Sequence, residues 1–278
     1  MRRLFRFAIG VFALLAPRGV SGTHADELIQ VARNQAPLPQ HTGDNTSPLL
    51  GFLARPYGPG RFPAVVLLHW CSGFGEHDTA AAATLKNWGY VALAIDSLGD
   101  ANMCSLQGGS TAEAVDAFAA LRYLSEQDFV ASARIAVMGY SMGALGALIT
   151  IDKWPIMRVQ QMRFRAAVAY YPPCQFITGD LTAPALVLIG EQDDWSSADA
   201  CRKLAAHETD IGITRKPVAG ESVDLVVYPN ATHGFDLDRP PHRYLGHSMR
   251  YDPAATNDAE AKVHAFLRAT LGDQAEAR

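Results

Sequence analysis

Residues 135–148 read IAVMGYSMGALGAL, and the rest of the predicted fold is built outward from this stretch. An apolar, strand-like run leads to Gly139, and a helix-like run of small residues follows Ser141. The serine occupies the centre of a G-x-S-x-G pattern at a strand–turn–helix junction, the context of a nucleophile elbow. Glycines on both sides lack a β-carbon, so the strained turn can form and backbone can approach closely. The context favours a nucleophilic Ser141 over a serine that only suits a sharp turn.

Apolar runs alternate with helix-length segments along most of the chain. Periodicity predicts strands at 49–55, 64–69, 90–96, 134–138, 166–171, 184–190 and 223–228. It predicts helices at 79–88, 111–126, 142–152, 197–206 and 257–271. Continuous apolar strands alternating with helices indicate a mostly parallel sheet covered on both faces. Because right-handed crossovers place the strand C-termini on one edge, the chemistry is expected at that edge.

A nucleophilic serine needs a base and a group that orients the base. In this architecture the three residues follow in the order serine, acid, histidine. The segment EQDDW follows strand 184–190, and the G-x-x-D spacing from Gly190 favours Asp193 as the acid, with Asp194 as the alternative. An acidic turn before a helix can also be a solvated helix cap, which describes Asp194 or Ser197 better than Asp193.

The predicted base is His233, in the segment ATHGFDL after strand 223–228. Among the nine histidines of the chain it has both the required chain order and a place in a strand-end loop. His242 and His247, in the segment PPHRYLGHS, are its rivals. The sequence therefore predicts a triad of Ser141, Asp193 and His233.

A serine hydrolase also needs donors for the developing oxyanion. One is expected to be the backbone N–H of Met142, directly after the nucleophile, and the other that of Cys71 in the loop HWCSGFG. Trp70, Tyr140 and Trp195, together with Met142, are candidates to line an apolar acyl pocket. The alternative for Trp195 is a structural role, in which it only packs beneath the loop that carries the acid.

The N-terminus reads MRRLFRFAIGVFALLAPRGVSGTHADE, in which arginines precede an apolar stretch and then small residues. This is the plan of a secretory signal peptide, with cleavage after Gly22 or Ala25; an amphipathic helix is the alternative. The apolar stretch 7–16 is too short to span a bilayer comfortably, so no stable membrane anchor is expected. We therefore divide the chain into a signal peptide, 1–25, and one α/β domain, 26–278. The mature protein is expected in the periplasm or outside the cell.

Charge and cysteine content restrict the partners and cofactors. The net charge is −4, and no stripe of lysine and arginine follows the first residues, which argues against nucleic acid. Four cysteines suit an exported protein with two disulfides, and without a CxxC pair zinc has no support. No glycine-rich phosphate loop is present. The sequence therefore predicts a small-molecule substrate, with no metal and no organic cofactor.

In these residues and motifs the chain resembles the dienelactone hydrolase-like branch of the α/β-hydrolases. The resemblance covers about residues 48–271 and is carried by FPAVVLLHWCSGFG, YVALAIDSLG, RIAVMGYSMGA, AVAYYPPC, PALVLIGEQDDW, VVYPNATHGFD and AFLRATLG. It implies an eight-stranded α/β-hydrolase sheet without a large lid, and the triad of Ser141, Asp193 and His233.

The chain departs from that branch in the residues around the substrate. Ser141 stands where the namesake enzymes carry a cysteine nucleophile, and Trp70 stands where they carry a glutamate. The segment DSLGDANM lacks the arginine that helps them bind a substrate carboxylate. A general carboxylic-ester hydrolase is therefore expected rather than an enzyme for the namesake lactone.

The fold implied by the resemblance also suggests a disulfide pairing. It places the strands AVVLLH and YVALAID side by side, and likewise AVAYYPP and PALVLIG. Each cysteine follows one of these strands or lies on the next helix, which predicts the pairs Cys71–Cys104 and Cys174–Cys201 near the catalytic edge. Four buried free thiols are the alternative.

These observations predict an exported serine hydrolase that cleaves carboxylic esters or lactones through an acyl-enzyme. A peptidase or amidase on the same triad is one alternative, because a triad permits either reaction. A catalytically silent secreted binding protein is the other alternative, although an intact trio argues against it.

Overall fold

The computed structural model describes residues 26–32, 48–97, 109–153, 162–208 and 220–272. The strands of its main sheet are β1 (Glu27–Val31), β2 (Leu49–Ala54), β3 (Phe62–Leu68), β4 (Val91–Asp96), β5 (Val130–Tyr140), β6 (Ala167–Tyr170), β7 (Ala185–Gly190) and β8 (Val223–Tyr228). Their order is β1-β2-β4-β3-β5-β6-β7-β8. Only β2 runs antiparallel to its neighbours, and all other pairs of this described sheet are parallel. The predicted eight-stranded, mostly parallel sheet is confirmed.

Helices connect these strands and cover the sheet. The described part of the chain contains α1 (Glu76–Asn87), α2 (Gly109–Ser125), α3 (Met142–Ile151), α4 (Ala198–Ala205) and α5 (Pro253–Leu271). Helix α2 packs along α3. Helix α1 lies beside α5, where the rings of Trp88 and His264 stack with centroids 4.6 Å apart. The central strands β3, β4 and β7 are almost completely buried, which explains why they are apolar throughout rather than alternating.

The register between β3 and β5 brings the ends of these two strands together. Leu68, the last residue of β3, lies opposite Gly139, just before the elbow. The loop that follows β3 therefore begins beside Ser141. This is the edge of the sheet at which the sequence predicts the site.

Strand β1, the segment 242–249 and the start of α5 are among the differences from the sequence-based expectation. Strand β1 was not predicted, because only Val31 of its five residues is buried and no apolar pattern marks it. The segment around His242 and His247 is a hairpin, β9 (His242–Tyr244) and β10 (His247–Met249), rather than a plain loop. Helix α5 begins at Pro253, four residues early, because the Asp252 carboxylate accepts the first free N–H groups and proline suits the first turn.

The described cysteines, Cys71, Cys174 and Cys201, come after the carboxyl ends of β3, β6 and β7. Cys174 and Cys201 form a disulfide, in agreement with the predicted pair and with the neighbouring positions of β6 and β7. Cys71 is also disulfide-bonded, and its predicted partner Cys104 lies outside the described residues. The strands β3 and β4 that precede these two cysteines are neighbours, as predicted.

The predicted signal peptide, residues 1–25, lies outside the described residues as well. None of the described helices combines the length and apolar character needed to cross a membrane.

Candidate active site

The turn at Ser141 joins β5 to α3 in a conformation that few non-glycine residues adopt. Ser141 has φ 52° and ψ −110°, and its N–H donates to the Tyr170 carbonyl at the end of β6, 2.9 Å away. A β-carbon on Gly139 would lie 2.2 Å from the carbonyl oxygen of Gly143, and one on Gly143 would lie 2.4 Å from that of His69. Both glycines are therefore required by backbone contacts, and the strained elbow is held from both sides.

This close contact also joins the two predicted oxyanion donors. The first turn of α3, which starts at Met142, lies against the end of β3, and the β3 loop carries Cys71. Both residues are buried. The first N–H groups of a helix have no partner within the helix and attract negative charge. The arrangement thus brings the first turn of α3 and the β3 loop together beside Ser141.

Three side chains form one hydrogen-bonded chain at the elbow. His233 Nε2 lies 2.8 Å from Ser141 Oγ, and His233 Nδ1 lies 2.8 Å from Asp193 Oδ2. The second oxygen of Asp193 accepts the backbone N–H groups of Trp195 and Ser196 at 2.9 and 2.7 Å. Because a carboxylate only accepts, it holds a proton on Nδ1 and leaves the Nε2 lone pair for the serine hydroxyl.

The loops after β7 and β8 touch, and this brings the acid to the histidine. A β-carbon on Gly190, at the end of β7, would lie 2.1 Å from the Ala231 carbonyl. His233 also forms a β-bridge to Met249 of β10, which holds its loop from the other end. The side chains of His233 and Asp193 are 1% and 0% exposed, so water has little access to their hydrogen bond.

The rivals of the predicted acid and base have other partners. The Asp194 carboxylate accepts the N–H of Ser248 in β10 and faces His247 Nδ1 at 3.4 Å. The exposed His242 bonds to a neighbouring backbone carbonyl. The Ser197 hydroxyl accepts an N–H in the first turn of α4 and caps that helix. Asp194 thus anchors the hairpin, while Asp193 and His233 meet Ser141.

A strip of aromatic rings runs past the elbow from the β3 loop to the histidine. Tyr244 of β9 lies 5.4 Å from the ring of Trp70 and 6.1 Å from that of Trp195, which in turn lies 4.9 Å from the His233 ring. Of the predicted pocket residues, Trp70 and Trp195 belong to this aromatic strip. Tyr244 was not identified from the sequence, because the turn pair Leu245–Gly246 is not one of the usual hairpin signals: the leucine takes φ 48°, a conformation that favours glycine or asparagine.

Another predicted pocket residue, Tyr140, makes its ring contacts with His77, Tyr170 and Tyr171 rather than with the aromatic strip. It lines a cavity of about 150 Å³ between α1 and α5, together with His77, Tyr170 and Asp236. Its ring meets the His77 ring edge-on, with centroids 4.3 Å apart. Ser141 does not line this cavity. Successive residues of an extended strand point to opposite faces, so a place beside the nucleophile in sequence does not put a side chain in the same pocket.

A buried network behind the histidine ties α1 to the His233 loop. Asp236 accepts the hydroxyl of Tyr171 at 2.8 Å and pairs with His77 Nε2 at 2.9 Å. Burial lowers the pKa of His77, but the neighbouring Asp236 carboxylate outweighs it and the net pKa is raised. The Tyr171 ring lies 4.7 Å from the His233 ring. The network therefore supports the base from behind, and its members are too far apart in sequence to be recognised as one group.

A second buried group of titratable residues lies at the end of β3. His69, Asp78 and Glu113 are almost completely inaccessible to solvent. Burial, followed by the charges of Asp116 and Asp78, raises the pKa of Glu113 well above its usual value. Within the described part of the chain neither carboxyl oxygen of Glu113 has a hydrogen-bond partner. Burying such a group is costly, and the protonated form is favoured.

Glu113 is expected to make the folded state less stable as the pH rises. In the unfolded chain a glutamate loses its proton near pH 4.5, whereas burial keeps the proton on Glu113 to higher pH. Above that pH the folded state binds more protons, so the free energy of unfolding falls until the folded pKa is reached. Glu113→Gln removes this uptake. We expect the Tm of Glu113→Gln to exceed that of the wild type by more at pH 8 than at pH 5, with the difference between the two pH values roughly 5 °C.

Thermal unfolding at the two pH values measures this difference. Glu126→Gln is the matched control, because Glu126 follows the same helix and is exposed. The control should shift Tm equally at both pH values. An advantage of Glu113→Gln that is the same at pH 5 and pH 8 contradicts a carboxyl group kept protonated by folding.

Among the described residues, no group of three histidine, cysteine, aspartate or glutamate side chains has the arrangement needed to hold a metal ion.

Comparisons with known proteins agree with this fold. The sequence matches the Dienelactone hydrolase family over residues 49–271. A Bradyrhizobium sp. protein named "Probable 2-oxo-3-(5-oxofuran-2-ylidene)propanoate lactonase" is 25% identical over 248 residues, which cover 81% of this chain and 91% of that protein.

Solved structures of two esterases share the fold. An esterase of Pyrococcus furiosus has a TM-score of 0.62 at 17% identity, over 92% of this chain and 100% of its own. Esterase 2 of Thermogutta terrifontis, with propionate bound, has a TM-score of 0.62 at 16% identity, over 88% of this chain and 94% of its own. Four-fifths of the chain match the family, and the fold of these neighbours is that of the α/β-hydrolases. The chain therefore belongs to the dienelactone hydrolase family of carboxylic ester hydrolases.

Proposed function

We propose that this protein is an exported serine hydrolase that cleaves carboxylic esters or lactones through an acyl-enzyme on Ser141. One observation carries the proposal: the hydrogen-bonded chain from Ser141 Oγ through His233 to Asp193, with both links at 2.8 Å. An isolated serine hydroxyl is a poor nucleophile, and this chain supplies the base and the group that orients it. The strained φ of Ser141 supports the same role.

The geometry corresponds to a two-step reaction. As Ser141 Oγ attacks the ester carbonyl carbon, its proton passes to His233 Nε2, and Asp193 stabilises the imidazolium through Nδ1–H. The tetrahedral intermediate collapses, the C–O bond to the alcohol breaks, and the imidazolium gives its proton to the leaving oxygen. Water then attacks the acyl-enzyme, with His233 as the base again, and releases the acid and the free serine.

Backbone donors stabilise the oxyanion in both steps. We assign this role to the N–H groups of Met142 and Cys71, since the first turn of α3 and the β3 loop meet beside Ser141. The removal of one such donor typically costs about 10²- to 10³-fold in kcat. The tight contact at Gly143 is thus part of the catalytic geometry.

The aromatic strip indicates the kind of substrate. Trp70, Tyr244 and Trp195 offer a wall of ring faces and edges beside the nucleophile, which suits an apolar or planar ester group. Trp70 stands where the namesake enzymes of the family carry a glutamate. The named lactone of the Bradyrhizobium relative and the propionate in the Thermogutta esterase fit small carboxylic substrates of this type.

Export is the second part of the proposal. An arginine-rich start, an apolar stretch and small residues precede the domain, as in a signal peptide. The disulfide between Cys174 and Cys201, and the disulfide-bonded Cys71, fit an oxidising compartment. Both features support a periplasmic or secreted protein.

Short-chain p-nitrophenyl esters, the matching anilides and paraoxon test the hydrolase. We expect release of nitrophenol from the esters and much slower release of nitroaniline from the anilides. Paraoxon should abolish activity and add one diethylphosphoryl group to the peptide that contains Ser141. Paraoxon is the chosen probe because it phosphorylates the Thermogutta esterase.

Each alternative gives a different result in the same assays. Faster turnover of the anilides favours a peptidase or amidase. No turnover and no labelling favours a silent binding protein. Labelling at a residue other than Ser141 contradicts the assigned nucleophile.

A further inference from the structure

His69 makes a hydrogen bond that determines its protonation state. Its Nδ1 lies 2.8 Å from the backbone carbonyl oxygen of Trp70, and its Nε2 lies 3.3 Å from the N–H of Ser97. A carbonyl oxygen only accepts, and an N–H only donates. His69 is therefore a neutral imidazole with its proton on Nδ1, and it joins the loop after β3 to the loop after β4.

The accepting carbonyl belongs to the peptide group that supplies the proposed oxyanion donor. Trp70 C=O and Cys71 N–H are the two ends of one planar trans peptide and point in opposite directions. Fixing the carbonyl of Trp70 therefore fixes the direction of the Cys71 N–H. The same carbonyl also accepts the N–H of Gly73 at 3.1 Å, so two donors hold one end of this peptide plane.

Glu113 supplies a reason for the proton to stay on Nδ1. Its Oε1 lies 3.4 Å from His69 Nδ1, while Asp96 Oδ1 lies 3.8 Å from Nε2. The two carboxyl groups thus face opposite ring nitrogens. Because folding favours the neutral form of Glu113, its Oε1 acts on the Nδ1–H as an acceptor oxygen and not as a charge. Glu113 is completely buried, and its oxygens have no hydrogen-bond partner among the described residues. A buried carboxyl that costs stability in this way requires an explanation in function.

We propose that His69 is a positioning residue for the oxyanion hole: its Nδ1–H holds the Trp70–Cys71 peptide so that the Cys71 N–H faces the substrate carbonyl, and Glu113 keeps the proton on Nδ1. The inference rests on the proposed hydrolase function. It assigns a catalytic purpose to two buried residues that do not touch the substrate. It also explains why polar groups occupy the interior beneath the β3 loop.

The test compares two substitutions of the same shape. Asparagine places an amide near the position of Nδ1, and leucine has the same outline without a donor. For wild type, His69→Asn and His69→Leu we would measure kcat and KM with a p-nitrophenyl ester. We would also measure Ki for an alkyl trifluoromethyl ketone, whose carbonyl adds Ser141 Oγ and becomes an oxyanion.

We expect His69→Leu to lower kcat roughly 10- to 100-fold with little change in KM, and to weaken the trifluoromethyl ketone by a similar factor. His69→Asn should lose at least fivefold less than His69→Leu in both measurements. The parallel loss in kcat and inhibitor affinity is a property of the oxyanion hole that general loosening of the fold would not produce. Equal losses in the two variants, or unchanged inhibitor affinity in His69→Leu, would overturn the proposal.

A second pair of variants covers the case in which His69→Leu does not fold. Glu113→Met removes the carboxyl oxygens at similar length, while Glu113→Gln keeps an acceptor oxygen. We expect Glu113→Met to raise Tm at pH 8 and yet to weaken the trifluoromethyl ketone several-fold, with Glu113→Gln restoring most of the affinity. Wild-type affinity of Glu113→Met for the ketone would overturn the role of Glu113. If His69→Leu folds and also keeps wild-type affinity, the whole inference is overturned.

The outcome also separates this inference from the proposed function. A wild-type protein that neither hydrolyses the ester nor binds the trifluoromethyl ketone contradicts the hydrolase itself, and this inference with it. An active wild type whose His69 and Glu113 variants bind the ketone equally well contradicts the inference alone.

Discussion

Replacement of Ser141 by alanine is expected to lower kcat for a p-nitrophenyl ester about 10⁵- to 10⁶-fold, the scale seen when the nucleophile of a triad is removed. The hydroxyl is the only atom of the elbow that can form the acyl-enzyme, since the rest of the turn is held by backbone contacts. Those contacts remain in the variant, because the Ser141 N–H donates to Tyr170 and the glycines are unchanged. Steady-state kinetics with a burst measurement, together with the Tm, test this result.

The control is Ser197→Ala, which removes an exposed hydroxyl that caps α4. It should lower stability slightly and leave kcat within about threefold, because Ser197 makes no contact with the triad. Residual activity of Ser141→Ala above a few per cent of wild type would contradict the assigned nucleophile. His233→Ala should cost about as much as Ser141→Ala, and the double variant hardly more, because members of a triad act as a unit.

The second large effect is expected at the acid. Asp193→Asn should lower kcat about 10⁴-fold, because the amide N–H of asparagine faces Nδ1 and drives the imidazole proton to Nε2. In that tautomer Nε2 cannot accept the proton of the Ser141 hydroxyl 2.8 Å away. The loss should fall on kcat rather than on KM, since Asp193 lies behind the histidine and does not touch the substrate.

Asp194→Asn is the matched control, one residue away. Its carboxylate accepts the Ser248 N–H and faces His247, so the variant loosens the hairpin that carries Tyr244. We expect less than a tenfold fall in kcat, with a rise in KM as the aromatic strip loses its support. If Asp194→Asn proves more damaging to kcat than Asp193→Asn, the acid of the triad has been assigned to the wrong residue.

The sequence was sufficient to predict the three side chains that the structure joins by hydrogen bonds, Ser141, His233 and Asp193. The elbow follows from a local pattern, because a strand, a glycine-flanked serine and a small-residue helix are adjacent in the chain. Asp193 and His233 follow from chain order, since each comes directly after a strongly apolar run and strand ends meet at one edge. Of the candidates that remained, Asp194 lies in the same loop as Asp193, while His242 and His247 lie in the β9–β10 hairpin that follows the His233 loop. No periodicity distinguishes them from the residues that meet.

Other parts of the site required the fold. Tyr244 packs against Trp70 and Trp195 because the β9–β10 hairpin is anchored on Asp194. A short polar strand pair carries no strong apolar signal. Tyr140 stands next to Ser141 in sequence but lines a cavity between α1 and α5. The side of the sheet to which a strand residue points depends on the pairing of that strand with its neighbours.

The sequence by itself determined the parallel α/β architecture, the turn at Ser141 and the chain order of the three hydrogen-bonded residues, because burial and backbone conformation leave local patterns in the chain. Only the tertiary structure decided which groups meet across it. Glu113 lies beside His69, and His77 beside Asp236, because the strand order brings together helices and loops that are far apart in sequence. A buried polar group stabilises or orients another only when their atoms lie within contact distance. Packing sets that distance, and no pattern within one segment of the sequence shows it.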